Sequence, residues 1–453
     1  MTPQTIAVPT DISTQPLCDV LVIGGGPAGS TVSTLLARRG HDVVLLDKDQ
    51  HPRFHIGESL LPANLPLFDK LGVGEEIRAI GMVKQAAEFE SPWHAHRQTF
   101  LFKDAWNKNM PHAYQVHRAS FDQILLRNAA RSGVRVFETC RLETLDLDAD
   151  PERATAGARH ETLGALSFQP RFVIDASGRD TFLANRFRIK HKNPRHSSLS
   201  IYGHFCGAQR HPGQAEGYIT IFWFDHGWFW FIPLQNGITS VGMVAWPYFM
   251  KTRGGRSLEQ FLLDGIAACP KLAERLAGAT LARAVEATGN FSYTSERNHG
   301  RNYVMVGDAY AFIDPVFSSG VWLAMQGAVA AAEAVDTCLR KPAQSTAALR
   351  RFDKAMRHGP REFSWLIYRM TNPVMRDLLM APRNPLRVRE AVLSLLAGDI
   401  YGRTPIWASL AVFKLIYYVS SALRPGTSLR AWRQRKINIR AVDGLVESTG
   451  GVR

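Results

Sequence analysis

The sequence predicts an α/β fold with a Rossmann-like βαβ unit at the front, an antiparallel sheet in the middle and a helical C-terminal region. Three patterns lead to this prediction. A strand, a glycine turn, a helix and a second strand fill residues 18–50; aromatic and β-branched residues alternate with polar ones over 197–247; and helical periodicity prevails after residue 320. The 453 residues, 45% of them hydrophobic, are enough for a large core.

The front unit carries a dinucleotide-binding pattern. The apolar run CDVLVI is typical of a buried parallel strand, and Gly24, Gly26 and Gly29 follow it as G-x-G-x-x-G. The first two glycines permit a tight turn close to a pyrophosphate, and the third lets the next helix pack on the strand. Asp47 ends the second strand, where a carboxylate can bind ribose hydroxyls. A dinucleotide cofactor is therefore expected.

The remaining elements follow in order along the chain. A helical segment is predicted at 59–81, a helix at 118–132 and a strand at 171–178, RFVIDASG. The segments TIFWFDHGWFWFIPL and TSVGMVAW predict the antiparallel sheet. We expect residues 1–330 to form one interleaved core and residues 331–453 a helical C-terminal region.

The net charge of +14 favours anionic partners, such as nucleotides, halide, acidic proteins or membranes. Basic residues are dense in RPGTSLRAWRQRKINIR (424–440), but no nucleic-acid module is present, so nucleic acid is not expected. The apolar stretch 405–423 contains Lys414 and Pro405 and is interpreted as a buried helix rather than an interfacial one; a membrane partner is accordingly not expected.

The five cysteines are scattered and form no CxxC pair, which speaks against a disulfide framework and a zinc site; no metal is expected. The same cysteine usage suits a reducing compartment, so a cytoplasmic location is expected. The first residues lack the basic start and the apolar run of a secretory signal.

Two later segments resemble the flavin-binding parts of the FAD-dependent monooxygenase superfamily: RFVIDASG (171–178) and YVMVGDAYAFIDP (303–315). This resemblance implies FAD rather than NAD as the cofactor, with Asp308 on its flavin side. From the residues alone, the alternative is that Asp308 is a solvated loop acid.

Three more segments together resemble the flavin-dependent halogenases, particularly the branch that acts on phenols and pyrroles. They are HPRFHIGESLLP (51–62), GWFWFIP (227–233) with the pattern W-x-W-x-I-P, and FIDPVFSSG (312–320) with F-x-x-P-x-x-S-x-G. The resemblance extends over about residues 18–330. It implies a cofactor site formed by Gly24, Gly26, Ala28, Gly29, Asp47, Lys48, Arg53, Ser59, Arg118, Asp308, Pro315 and Gly320.

The resemblance also implies a halide site at the backbone N–H groups of Ser319 and Gly320. A concave set of backbone donors can bind an anion without a dedicated cation, and glycine permits the close approach. Without the family, FIDPVFSSG would be read as a plain structural turn.

Lys84, in GMVKQAAEF, matches the catalytic lysine of the family. Its ammonium could hydrogen-bond hypohalous acid, and its amine could carry the halogen; burial would favour the amine by lowering the pKa. From the residues alone, Lys84 could be a surface lysine.

Trp228, Trp230 and Phe317 are expected to form the wall on the substrate side, although the two tryptophans could simply be core. Tryptophan halogenases carry a glutamate where this chain has Phe317, so free tryptophan is not the expected substrate and the general base is not identified.

The predicted function is FADH2-dependent chlorination or bromination of a phenol or pyrrole in secondary metabolism, with hypohalous acid relayed to Lys84. The expected partners are a flavin reductase and an aromatic substrate, free or bound to an acyl or peptidyl carrier protein, whose acidity would suit the basic segment. Two alternatives are an FAD-dependent aromatic hydroxylase and a membrane-surface flavoprotein reductase that docks through residues 405–440.

Overall fold

The computed structural model of the chain describes residues 17–440 apart from 195, 290 and 291, and describes side chains as far as residue 437. Residues 1–16 and 441–453, which are the outer ends of the two predicted regions, lie outside the described residues. The predicted absence of a secretory signal concerns the first of these segments. The side chain of Arg440 also lies outside the described residues.

The first sheet contains the predicted βαβ unit. Parallel pairing aligns Ile23 with Leu46 on one side and with Asp175 on the other, so the carboxyl ends of these strands lie at one edge. The long strand Gly164–Asp175 continues beyond this parallel part and pairs with antiparallel neighbours. In spatial order the strands are Arg135–Phe137, Val43–Leu46, Leu17–Ile23, Gly164–Asp175, Thr155–His160 and Cys140–Asp146, with Tyr303–Met305 paired to Gly164–Asp175.

The second sheet is the predicted antiparallel one. All its pairs are antiparallel except that of Ile219–Phe224 with Ala86–Glu90. In spatial order the strands are Thr280–Leu281, Leu199–Cys206, Ile238–Ala245, Gly227–Pro233, Ile219–Phe224, Ala86–Glu90 and Gln98–Leu101, with Glu286–Thr288 paired to Leu199–Cys206.

Two small sheets and the helices complete the described part. One small sheet consists of Lys190–Lys192, Tyr293–Ser295 and Ala311–Phe312, and the other of Met82–Lys84 and Ala113–Gln115. The α-helices are Pro27–Ala37, Leu65–Leu71, Gly74–Ile80, Arg118–Arg131, Phe182–Arg186, Pro247–Lys251, Leu258–Ala267, Pro270–Arg275, Gly320–Arg340, Ser345–Ile367, Pro373–Met380, Val388–Leu396, Trp407–Ala422 and Pro425–Arg440.

Strand alternation divides the hydrophobic residues of the second sheet between two cores. Trp228 and Trp230 belong to the large core shared with the first sheet, whereas Phe229 and Phe231 belong to a smaller core on the opposite face. The helix Leu258–Ala267 covers that smaller core through Phe261 and Leu262. The aromatic strand therefore has one face directed toward the dinucleotide half of the molecule.

Two predicted elements differ from the structure. The helical segment at 59–81 is two short helices, because Gly72 ends the first in a left-handed conformation with φ +71°. The stretch 405–423 is helical but only half buried: Leu410 and Phe413 pack inward, while Leu415 and Val419 are exposed.

The long helix Gly320–Arg340 runs through residue 330, where the sequence suggested a regional boundary. No helix of the described residues is long and apolar enough to cross a membrane.

Candidate active site

A cavity of about 370 Å³ lies between the carboxyl edge of the first sheet and one face of the second. Such an edge, where parallel strands end, is the usual ligand site of a doubly wound sheet. The glycine turn and Asp47 line it on one side, and Trp228 and Trp230 on the other. The cavity therefore lies where the two halves predicted from the sequence meet.

The glycine turn is sterically obligatory. Gly24 has φ +100°, and a Cβ there would lie 2.5 Å from the carbonyl oxygen of Ala176. A Cβ at Gly29 would lie 1.8 Å from the carbonyl oxygen of Gly24. Helix Pro27–Ala37 begins directly after Gly26, so its first N–H groups lie at the cavity and lack helical acceptors. These are the features that a pyrophosphate requires.

Asp47 supports the same turn. Its Oδ2 accepts a hydrogen bond from the Gly25 N–H at 2.6 Å, and its Oδ1 accepts one from the Asp49 N–H at 2.9 Å. Burial acts to raise the pKa of Asp47, but the hydrogen bond and charge of His51 outweigh it, so the pKa lies below its usual value. An ionised carboxylate at the end of the second strand fits the predicted ribose contact.

Basic side chains surround the same part of the cavity and are themselves held by carboxylates. Arg118 forms a two-point pair with the buried Asp122 at 2.8 and 3.0 Å, and Arg53 lies 3.3 Å from the same carboxylate. Lys48 pairs with Asp180 at 2.5 Å. The fixed positive groups complement the phosphates of a dinucleotide, and the glycine cradle leaves room for it, so the described residues fit FAD.

Asp308 also lines the cavity, in a single turn of 3₁₀ helix over Gly307–Ala309. Burial raises the pKa of Asp308 to about 6, although the charges of Arg179 and Arg118 act to lower it. Its half-buried position at the cavity argues against the alternative of a fully solvated loop acid.

The second sheet contributes an aromatic wall. The rings of Trp228 and Trp230 lie on one face of their strand with centroids 6.1 Å apart, and the indole N–H of Trp230 donates to Ser240 Oγ at 3.1 Å. Both line the cavity, and both also belong to the core. Their role as the substrate-side wall stays a prediction. Phe317 is buried in the same core but is not part of the cavity lining, so the structure does not place it in the predicted wall.

The loop FIDPVFSSG is held rigidly by Asp314. This buried carboxylate accepts a hydrogen bond from the Val316 N–H at 3.1 Å and another from Ser198 Oγ at 2.7 Å, and His196 Nε2 lies 2.8 Å away. Ser318 takes the left-handed conformation with φ 56°, which is strained for a residue other than glycine. The loop is thus fixed in one uncommon shape.

Ser319 and Gly320 end this loop and begin helix Gly320–Arg340. Ser319 is 1% exposed, yet its hydroxyl oxygen has no hydrogen-bond partner within the described structure. Gly320 lines the cavity, and the nearest atom to a Cβ placed there is 4.0 Å away, on Phe312. A buried orphan hydroxyl beside the free N–H groups of a long helix is an arrangement that fits a small anion.

Lys84 is buried at the end of the two-stranded ribbon, with 1% of its surface exposed. Its Nζ donates to Ser59 Oγ at 2.9 Å and to the Leu60 carbonyl oxygen at 2.5 Å, and it lies 5.3 Å from the ring centre of Phe102. Burial lowers the pKa of Lys84 to about 7. The alternative of a surface lysine is therefore wrong.

The structure brings most of the predicted site residues together. Those that line the cavity are Gly24, Gly26, Ala28, Asp47, Lys48, Arg53, Ser59, Arg118, Trp228, Trp230, Asp308, Pro315 and Gly320. Those that do not are Gly29, Lys84, Phe317 and Ser319. Ser59 links Lys84 to the cavity, because it lines the cavity and also accepts a hydrogen bond from the Lys84 amine.

Sequence reasoning missed two buried pairs that support this site. Glu58 and His204 lie 2.8 Å apart and join the segment before Ser59 to the second sheet. His196 and Ser198 hold Asp314. Glu58 and Asp314 lie inside quoted motifs, but their partners lie more than 100 residues away without a local signal. Among the described residues, no cluster of His, Cys, Asp or Glu is suited to a metal ion.

The chain is similar to known proteins over most of its length. Residues 19–106 and 102–373 match the family described as tryptophan halogenase. A tryptophan 2-halogenase of Chondromyces crocatus is 37% identical over 324 residues, which cover 71% of this chain and 61% of that protein. The chain thus spans less than two thirds of the length of that relative.

Two further relatives are covered more fully. A 1H-pyrrole-2-carbonyl-(peptidyl-carrier protein) chlorinase of Pseudomonas fluorescens is 29% identical over 84% of this chain and 89% of that protein. The solved structure of the myxobacterial chondrochloren halogenase CndH is similar with a TM-score of 0.72 and 32% identity, over 84% of this chain and 90% of that one. The resemblance and the fold class drawn from the sequence motifs are confirmed.

Proposed function

The chain belongs to the tryptophan halogenase family of flavin-dependent enzymes, and from that premise we propose that it halogenates an electron-rich phenol or pyrrole. The observation that carries the proposal is Lys84, a buried amine with a pKa near 7, joined through Ser59 to the cavity that fits FAD. In a hydroxylase Lys84 would be incidental, although burying an ammonium opposes folding.

The residues that would hold FAD are those of the glycine turn, Asp47 and the basic group Lys48, Arg53 and Arg118, with Asp308 and Pro315 at the flavin end. FAD bound there, and delivered in reduced form by a flavin reductase, would activate oxygen, and oxygen would supply the oxidising power that converts halide to hypohalous acid. The aromatic wall of Trp228 and Trp230 keeps water and substrate away from that end of the cavity.

The halide is assigned to the junction of loop and helix. The N–H groups of Ser319 and Gly320 lack intrahelical acceptors, the helix dipole is positive there, and the orphan hydroxyl of Ser319 can donate a third hydrogen bond. The Asp314 network fixes the loop before any ligand arrives, so no ordering cost is added on binding.

The contacts of Lys84 favour the amine as the form that reacts. A neutral amine has two N–H donors and one lone pair. Ser59 Oγ and the Leu60 carbonyl oxygen accept the two N–H hydrogen bonds, so the lone pair is directed away from both and is free to react. Hypohalous acid then transfers its halogen to this nitrogen, with loss of water. The aromatic ring takes the halogen and returns a proton, which regenerates the amine.

The substrate proposal rests on Phe317. In this chain a buried phenylalanine stands where the resemblance implies a glutamate for tryptophan halogenases, so a ring that activates itself through its own heteroatom is the better fit. The carrier-protein chlorinase relative suggests a carrier-bound acyl group as one form of the substrate, and an acidic carrier suits the basic surplus of the chain. The tryptophan 2-halogenase relative makes free tryptophan the necessary comparison.

Reconstitution tests the proposal. Purified protein, FAD, a flavin reductase, NADH and oxygen are combined with chloride or bromide and with phenols, pyrroles, carrier-bound pyrrole acyl groups and free tryptophan. Mass spectrometry is expected to show the halogen isotope doublet on a phenol or pyrrole. A doublet on tryptophan alone would contradict the substrate proposal, and an oxygenated product without halogen would identify a hydroxylase.

A further inference from the structure

The last two helices carry an exposed apolar face. Of the fourteen large apolar side chains that are exposed within the described residues, eight lie between residues 407 and 437. Leu415, Val419 and Leu423 recur at intervals of four, and Tyr418 lies beside them, so they form one stripe of helix Trp407–Ala422 and of the residue that follows it. Leu423 is 78% exposed. This helix is apolar on both faces, and the described part of the chain covers only one of them.

Helix Pro425–Arg440 extends the same surface. Trp432 is 54% exposed with Lys436 stacked on its ring at 3.6 Å, and Leu429 and Ile437 are exposed near it. Ser428 Oγ donates to the Ser421 carbonyl, which fixes this helix to the preceding one. We call the exposed side chains of residues 415–437 on these two helices the C-terminal surface.

The charge of this segment has one sign. Between residues 400 and 440 the sequence contains no Asp or Glu, and its basic residues are Arg403, Lys414, Arg424, Arg430, Arg433, Arg435, Lys436 and Arg440. Arg424 is paired with Asp377 and Lys414 lies near Glu362, but Arg430, Arg433 and Lys436 are exposed on the same helix as Trp432. Basic side chains interleaved with Leu, Trp and Ile complement a surface that is negative outside and apolar beneath.

We propose that the C-terminal surface binds the headgroup region of an anionic lipid bilayer, with the apolar stripe inserted and the arginines at the phosphates. A second copy of the chain is a poor occupant. A twofold contact would bring two basic segments that contain no Asp or Glu against each other, and their like charges would repel. A carrier protein visits an enzyme only transiently and would leave the apolar stripe in water for the rest of the time, whereas a bilayer covers it throughout. The exposure of the stripe changes the expectation, drawn from the sequence, that no membrane takes part.

Flotation of the full-length protein with vesicles tests this proposal. Binding is expected to vesicles of phosphatidylcholine with about one third phosphatidylglycerol, and to weaken at high salt or in pure phosphatidylcholine. The double variant Arg430→Gln/Arg433→Gln is expected to bind about 25-fold more weakly, since each basic residue near an anionic surface contributes about a factor of five. The double variant Leu423→Ser/Trp432→Ser is expected to lose at least about tenfold.

Matched variants elsewhere on the surface serve as controls. Arg350→Gln/Arg351→Gln removes two exposed charges from helix Ser345–Ile367, and Leu263→Ser removes another exposed leucine. Both are expected to bind like the wild type. The proposal fails if the wild type does not float, or if the controls lose as much binding as the test variants. It also fails if light scattering shows a dimer that Leu423→Ser/Trp432→Ser dissociates, or if an acidic carrier protein binds this surface while vesicles do not.

Discussion

Lys84 is held where an ammonium is costly, and its two hydrogen-bond acceptors are a serine hydroxyl and a backbone carbonyl rather than a carboxylate. Burial alone accounts for the fall of its pKa to about 7. The protein thus gives up stability at this position in return for an amine that is reactive near neutral pH.

That cost leads to a stability prediction. The folded pKa of Lys84 is below the unfolded value of 10.5, so the penalty is full below about pH 7 and disappears as the pH rises toward 10.5. Lys84→Met is expected to raise the free energy of unfolding by about 2–3 kcal/mol at pH 7, and by less at pH 9.5. Urea denaturation at both pH values measures this.

The exposed Lys70 offers the matched control, because Lys70→Met removes a solvated lysine without a burial penalty. It is expected to change stability little at either pH. A Lys84→Met protein that is less stable than the wild type at pH 7, by an amount independent of pH, would contradict the low pKa.

Ser59 has a distinct expected effect at the same scale. Ser59→Ala removes one hydrogen-bond acceptor from the Lys84 amine, so the direction of the amine lone pair is no longer fixed. The variant also lowers the pKa of Lys84 further, because the Ser59 hydroxyl stabilises the ammonium form. We expect about tenfold less halogenated product per FADH2 oxidised, more hypohalous acid captured by an added scavenger, and a rising limb of the pH–rate curve at lower pH. Ser59→Thr is expected to restore all three.

The affinity for FAD, measured on the same variants, separates this role from the cofactor contact predicted for Ser59. An affinity that falls more than about tenfold, with the product ratio and the pH curve unchanged, would show that the hydroxyl serves the cofactor and not Lys84.

At the scale of elements, two turns define the site: the glycine turn after the first strand and the loop before helix Gly320–Arg340. Both were evident in the sequence, because glycine spacing and the FIDPVFSSG pattern are local. The side chains that stiffen them were not evident, since Asp314 is held by His196 and Ser198 from a distant segment.

The glycine turn gives a prediction of its own. Gly29→Ala would place a methyl group 1.8 Å from the Gly24 carbonyl, so helix Pro27–Ala37 must move away from the first strand. FAD binding, followed by flavin fluorescence, is expected to fall at least about 100-fold. Gly255→Ala meets no atom within 4 Å and is the control. Unchanged FAD affinity in Gly29→Ala would show that the cofactor does not use this turn.

The loop gives a second prediction for this scale. Ser319→Ala removes the buried orphan hydroxyl, and the KM for halide is expected to rise about tenfold or more, because a hydrogen bond to a charged group contributes about 1.5–3 kcal/mol. The affinity for FAD is expected to stay the same. Steady-state kinetics at varied chloride measures the change, and an unaltered KM would remove Ser319 Oγ from the halide site.

At the scale of the whole molecule, the sequence was sufficient for the fold class and for most of the predicted site residues, which do line the cavity. It was not sufficient for burial that depends on packing between distant segments. The motif placed Lys84, but its burial depends on Ser59, Leu60 and Phe102 closing around it. The apolar stretch 405–423 shows the opposite limit: its hydropathy predicted burial, yet one face finds no cover in the described structure.

The central claim is that Lys84 passes halogen to an aromatic ring, and one measurement tests it most directly. Halogenated product per FADH2 oxidised is determined for the wild type and for Lys84→Met, with equal FAD loading. The account predicts that the variant still oxidises FADH2 at a similar rate and releases hypohalous acid to a scavenger, while its halogenated product falls by at least about 100-fold. A variant that keeps the wild-type ratio of product to FADH2 would contradict the role of Lys84.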